Sequence, residues 1–185
     1  WHAVDLSSLE QVEVAEGRSF TRSLFDYDYP GPRPSWGVGG WGDDGRTAWL
    51  NDRHDVWRVD LRTGEARRLT DGVASGEQFR LVSLDPEQPR FGVALHAADD
   101  DLVLSTRHFT SKASGYLSVD RDGSERWSMR REALVGGLTR AADRDVLAFR
   151  QERWDDSPDV FVVGADLDDP VQVTSTNPFQ SEYAW

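Results

Sequence analysis

The chain has 185 residues, a net charge of −12, eight tryptophans and no cysteine. Its length suits one compact domain or part of a larger one. The missing cysteines exclude disulfides, thiolate metal sites and a cysteine nucleophile, and the acidic balance argues against a nucleic-acid partner, which would select basic surfaces.

Residues 1–34 read as an irregular segment and the edge of a preceding repeat. Val12, Val14, Phe20 and Leu24 are placed as outer-strand positions. Ser7-Ser8-Leu9-Glu10 has the form of a helix capping box, but no amphipathic run follows it. Tyr29 to Pro34 must be an extended loop, because its prolines are excluded from central strands.

From residue 35 onward, short strands alternate with turn signals, the mark of an all-β chain. In residues 35–72, strands are predicted over Ser35 to Trp41 and Arg46 to Leu50, split by Gly42-Asp43-Asp44-Gly45. A hairpin follows over Asp55 to Thr70, with Gly64 at a turn position needing positive φ. Residues 79–130 repeat the plan, with strands over Phe79 to Leu84 and Asp101 to His108 and a hairpin over Gly115 to Met129 turning at Asp122-Gly123. Residues 134–185 repeat it again, with Leu134 to Arg140, Asp145 to Arg150 and a hairpin over Asp159 to Thr174.

The first and third hairpins open on Asp-Val-aromatic and close on an aliphatic residue followed by Thr. Their starts lie 104 positions apart with the second copy between them. That gives a period of about 50 residues with four strands in each unit, which is blade architecture. The fold class predicted is all-β: a β-propeller fragment of about three four-stranded antiparallel blades. The chain starts at Trp1 and stops on Trp185 in mid-pattern, so the reading is of an excerpt. Such an excerpt would leave blade faces bare and would self-associate more strongly as salt rises.

The motifs that could carry chemistry have plainer explanations. Gly37 to Gly42 matches GxGxxG, but a strand follows it where a dinucleotide site needs a helix N-terminus. Its glycines read as room for an inner strand to pack. Asp120-Arg121-Asp122-Gly123 reads as a hairpin turn, because calcium-loop spacing is absent. Asp99-Asp100-Asp101 reads as a solvated loop tip. His2, His54, His96 and His108 lack zinc-pair spacing, no G-x-S-x-G elbow occurs, and Asp155 and Asp156 are merely adjacent. Trp36, Trp41, Trp49, Trp57, Trp127 and Trp154 fall in or beside strands, where aromatics fill the wedge between twisted sheets. The sequence thus assigns no catalytic, cofactor-binding or metal-ligating residue, and no apolar run reaches the roughly 18 residues of a membrane span.

Two stretches resemble a known family. Trp36 to Gly72 and Asp145 to Trp185 look like the N-terminal propeller of prolyl oligopeptidase-family serine peptidases of bacterial type. The more specific match is Thr176-Asn177-Pro178-Phe179-Gln180-Ser181-Glu182-Tyr183-Ala184-Trp185, similar to the segment by which members leave the propeller for an α/β-hydrolase domain. The resemblance implies a parent enzyme that hydrolyses short peptides with a Ser-Asp-His triad carried in that hydrolase domain, its intrachain partner. None of the triad transfers to a residue here, and the chain alone is expected to be inactive. The alternative is a non-enzymatic propeller module that binds peptides or proteins.

Overall fold

A computed structural model describes residues 1–21, 27–85 and 93–183. It is all-β, built from short strands: β1 (His2–Val4), β2 (Gln11–Glu13), β3 (Val38–Gly42), β4 (Thr47–Asn51), β5 (Val56–Asp60) and β6 (Ala66–Arg68). A four-residue helical turn, α1 (Gly72–Ser75), precedes β7 (Glu77–Val82), β8 (Ala94–His96), β9 (Leu102–His108), β10 (Ser114–Val119) and β11 (Glu125–Arg131). The last strands are β12 (Leu134–Arg140), β13 (Val146–Arg153), β14 (Asp156–Gly164) and β15 (Val171–Gln172).

The strands form three successive meanders, and among the described residues no sheet closes on itself. The first sheet runs β6-β5-β4-β3-β8, the second β11-β10-β9-β7 and the third β12-β13-β14-β15. β1 and β2 form a separate hairpin.

Period-two side-chain alternation lets each strand serve two interfaces. In β9 and β10, Leu102, Leu104, Leu117 and Val119 join Trp49, Val56 and Leu69 of the first sheet. Their neighbours Val103 and Tyr116 turn the other way and pack with Leu138, Leu147, Phe149 and Val163 of the third sheet. The second sheet is therefore covered on both faces. A further cluster joins Val14 and Phe20 to Leu50 and Val59, placing the N-terminal segment on the outer side of the first sheet.

The structure differs from the sequence-based expectation in four places. Residues 1–34 contain a hairpin, β1–β2, and Asp5 rather than a capping box organises its loop: Asp5 Oδ1 accepts hydrogen bonds from Ser7 N at 2.8 Å and Ser8 N at 3.0 Å. Val14 and Phe20 are buried but lie outside strands, and Leu24 falls outside the described residues. The short helical turn α1 was not foreseen. Most consequentially, the pairing is not purely antiparallel. The connection from β7 to β9 swings back, and β8 pairs parallel with β3, making the first sheet five-stranded. An uncovered β3 edge would present unpaired backbone groups, and β8 occupies that edge.

Candidate functional site

The same lock recurs in the first and third sheets, where a hairpin strand meets the chain that leaves the sheet. In the first sheet Asp55, 1% exposed, accepts hydrogen bonds through Oδ1 from the Thr70 hydroxyl and from Gly72 N, both at 2.6 Å. The Thr70 hydroxyl oxygen in turn accepts from Val56 N at 3.2 Å. In the third sheet Asp159 accepts from the Thr174 hydroxyl and from Thr176 N, both at 2.8 Å, and Thr174 accepts from Val160 N at 2.8 Å. Hydrogen bonds from Thr176 N and the Thr174 hydroxyl hold the Asp159 carboxyl below the usual carboxylate range. Both aspartates sit 15 residues before their threonine and 17 before the amide they cap.

The second sheet has Gly115 where the other two carry aspartate. Ser114 takes over: its hydroxyl accepts from Val135 N at 2.7 Å and donates to Ala133 O at 2.8 Å. All three arrangements bind the chain leaving a sheet to that sheet's own hairpin. The Tyr116 hydroxyl adds a stitch between the second and third sheets by accepting from Leu138 N at 3.1 Å.

The glycine run Gly37 to Gly42 lies in and beside β3 and is followed by β4, with no helix. A Cβ on Gly40 would come within 2.7 Å of both His96 and Leu81, so the glycine admits the side chains packed against that strand. Asp120 to Gly123 is a turn, with Asp120 Oδ1 accepting from Asp122 N and Ser124 N at 2.9 Å and Gly123 at φ 83°. In the acidic loop, Asp99 pairs with Arg121 at 3.1 Å and Asp101 with Arg126 at 3.6 Å.

Three of the four histidines are separately engaged, and His2 is exposed on β1. His54 shares Nδ1 with Glu77 O at 3.1 Å and meets Phe109 edge-on at 4.9 Å. His108 Nδ1 accepts from Thr110 N and Ser111 N. His96 is half-buried against Trp49, and desolvation lowers its pKa. Among the described residues no serine hydroxyl bonds a histidine ring, and no group of three His, Asp or Glu side chains is arranged to hold a metal ion.

Arg80 on β7 joins the first two sheets. It donates to Phe79 O at 2.6 Å and to Asp52 O at 2.9 Å, with its guanidinium 5.2 Å from the Trp36 ring centre. Burial pushes its pKa down to about 10, which leaves it a cation at neutral pH. Of the tryptophans, Trp49 is a core residue at 1% exposure, whereas Trp154 stands 79% exposed in the β13–β14 turn.

Two of the open cavities combine charged with apolar side chains. One, of about 630 Å³, lies over β4, β5 and β6, where Arg46 donates to Asp60 at 2.7 Å. That bond to Arg46 holds the Asp60 carboxyl down at about 2. The other, of about 510 Å³, lies between the second and third sheets beside Trp154. Sequence reasoning missed the second because its lining comes from three separate chain segments.

The predicted exit segment folds back on the β13–β14 hairpin. Gln180 Oε1 accepts from Ser157 N at 2.9 Å and from the Ser157 hydroxyl at 2.7 Å, and Asn177 Nδ2 donates to Ser157 Oγ at 3.0 Å. Asn177 takes φ 48°, and Gln180–Glu182 form a single 3₁₀ turn. Ala184 and Trp185 lie outside the described residues. No helix among the described residues is long and apolar enough to cross a membrane. No protein-family model matches the chain, and a search of curated proteins returned no match.

Proposed function

We propose that the chain contributes three blades of a β-propeller to a serine-type oligopeptidase resembling the prolyl oligopeptidase family. There it restricts access to a catalytic domain whose Ser-Asp-His triad lies outside these residues. The observation that carries the propeller half is the repeated lock, Asp55, Ser114 and Asp159, on three consecutive meanders stacked face against face. The peptidase half is supported by the Thr-Asn-Pro-x-Gln segment, whose Asn177 and Gln180 both grip Ser157 and so give the segment a fixed seat at the end of the last sheet.

The physical role is size selection. A ring of rigid sheets over a hydrolase admits short or unfolded peptides and turns folded proteins away, while an oxyanion hole and base-activated serine below do the chemistry. A second reading, a non-enzymatic peptide-binding propeller, is favoured by the cavity beside Trp154.

The full-length gene product distinguishes the two. The peptidase reading expects hydrolysis of fluorogenic short peptides, little cleavage of folded proteins, and fluorophosphonate labelling of a serine outside residues 1–185. A full-length product with neither turnover nor labelling would leave the binding module as the surviving reading.

A further inference from the structure

The cavity of about 510 Å³ sits where three loops meet at one end of the second and third sheets. Arg107 and Lys112 come from β9 and the β9–β10 turn, Glu132 and Leu134 from the passage into β12, and Glu152 and Trp154 from β13 and its following turn. Its volume falls within the roughly 300–1,000 Å³ of small-ligand sites.

Two features separate it from an ordinary crevice. First, most of its charges lack an ion-pair partner. Arg153 on its rim pairs with Asp155 at 3.3 Å and the Lys112 ammonium donates to Phe109 O, but Arg107, Lys112, Glu132 and Glu152, two cations and two carboxylates, make no ion pair among the described residues. Other charges of the chain do pair, as in Arg130 with Glu77 at 2.9 Å or Arg121 with Asp99 at 3.1 Å. Second, its apolar wall is uncovered. Trp154 is 79% exposed and Leu134 46%. An indole left in water is a large flat surface available for stacking.

We infer that this cavity binds a short peptide with free termini: Arg107 and Lys112 receive its carboxylate, Glu132 and Glu152 its ammonium group, and Trp154 with Leu134 an apolar side chain. Opposite charges held apart in one cavity match a zwitterion, whose two ends satisfy both sets at once. A simple anion would leave the glutamates facing it, and a simple cation would meet the arginine and lysine. A guanidinium such as that of Arg107 takes a carboxylate through two parallel hydrogen bonds. Binding here requires no catalytic residue and is independent of the peptidase reading.

The test is calorimetric titration of the full-length protein with Gly-Gly-Phe, its N-acetyl form, its C-terminal amide and free phenylalanine, with mass spectrometry confirming that each ligand remains intact. The expected result is saturable binding of Gly-Gly-Phe, weakened at least fivefold by either acetylation or amidation and weaker still for the free amino acid. Arg107→Ala, Glu152→Gln and Trp154→Ala should each weaken binding at least fivefold without changing the far-UV circular dichroism. Equal affinity for the blocked and free peptides, a loss on amidation alone, tighter binding of phenylalanine than of the tripeptide, or three variants that bind like the parent would each overturn the proposal. Because the readout is binding of an intact ligand, its failure is distinct from a failure to find peptidase turnover.

Discussion

The second and third sheets are both four-stranded meanders, yet their outward faces meet different surroundings. β10, in the second sheet, is buried along its whole length, because Leu117 and Val119 face the first sheet while Tyr116 faces the third. β14 is covered on one side only. Phe161 and Val163 pack toward the second sheet, while Val160 and Val162 point the other way. Register carries that outer face across the sheet: Val162 lies opposite Ala148 and Val171, and Val173 bonds back to Val160. Val146, Val171 and Val173 are 42%, 60% and 53% exposed. The same strand chemistry thus produces a core where a neighbour is present and an apolar surface where none is. In the proposed propeller, that valine face would meet a further blade.

The largest expected effect comes from emptying the covered interface. Leu104 is fully buried between the first and second sheets. Leu104→Ala should cost about 2–5 kcal/mol, as buried leucines do when a cavity is left. Val162→Ala, on the uncovered face, should cost under about 1 kcal/mol, because the removed methyl groups are already partly in water. Urea unfolding of both variants measures the difference. Equal losses would mean that the valine face is covered in solution.

Next come the locks. Asp55→Ala removes the acceptor for Thr70 and Gly72 N in a buried position. Leaving those donors unsatisfied should cost about 1–3 kcal/mol. Asp159→Ala should cost about the same, because Asp159 is also buried and holds the matching pair of donors, the Thr174 hydroxyl and Thr176 N. Should the Asp159 variant prove the more destabilised in the same urea experiment, the two locks would not be equivalent.

How much of this was legible in the sequence depended on length and spacing. The hairpins over Asp55 to Thr70 and Asp159 to Thr174 could be read because apolar alternation runs into a turn that needs special φ, as Gly64 at φ 76° bears out. β1 and β8 could not: each has only three residues, too short for a period-two pattern to emerge. The recurring aspartate and threonine were visible as a pattern, but their hydrogen bonding was not, because the second sheet reaches the same end with Ser114. The cavity beside Trp154 was invisible because Arg107, Glu132 and Glu152 are brought together only by stacking of two sheets.

Acid should loosen the turn carboxylates before the core. Asp60 is held down at about 2 by its bond to Arg46, and Asp5 at about 2 by hydrogen bonds led by the Ser7 hydroxyl. Asp159 is lowered as well. An unfolded aspartate titrates near about 3.9. Between those values the unfolded chain binds more protons than the folded one, so the contribution is full above pH ~4 and lost as pH falls toward about 2. Thermal melts should therefore be flat near neutrality and drop below pH ~4. A melting temperature that is constant down to pH ~2 would show that these carboxylates do not contribute.

The smallest effect on folding, with the clearest effect on association, is expected at Val171. Its side chain lies on the uncovered valine face and is 60% exposed, so Val171→Lys removes little buried area. Its stability should stay within about 0.5 kcal/mol of the parent, the usual range for surface substitutions. Association should respond more strongly. Two valine faces meeting would bury apolar area at short range, opposed by a net charge of −12 on each chain. Salt at 0.1 M screens that repulsion beyond about 10 Å but leaves apolar contact untouched. Light scattering of the 185-residue chain should therefore rise with salt for the parent and stay near the monomer value for Val171→Lys, where an ammonium group would have to be desolvated in the contact. A parent that remains monomeric at both low and high salt would show that an exposed valine face is not enough to drive pairing. Association that survives the lysine would locate the contact elsewhere, with the outer edge of the second sheet at β11 the next candidate, since no strand among the described residues pairs beyond it.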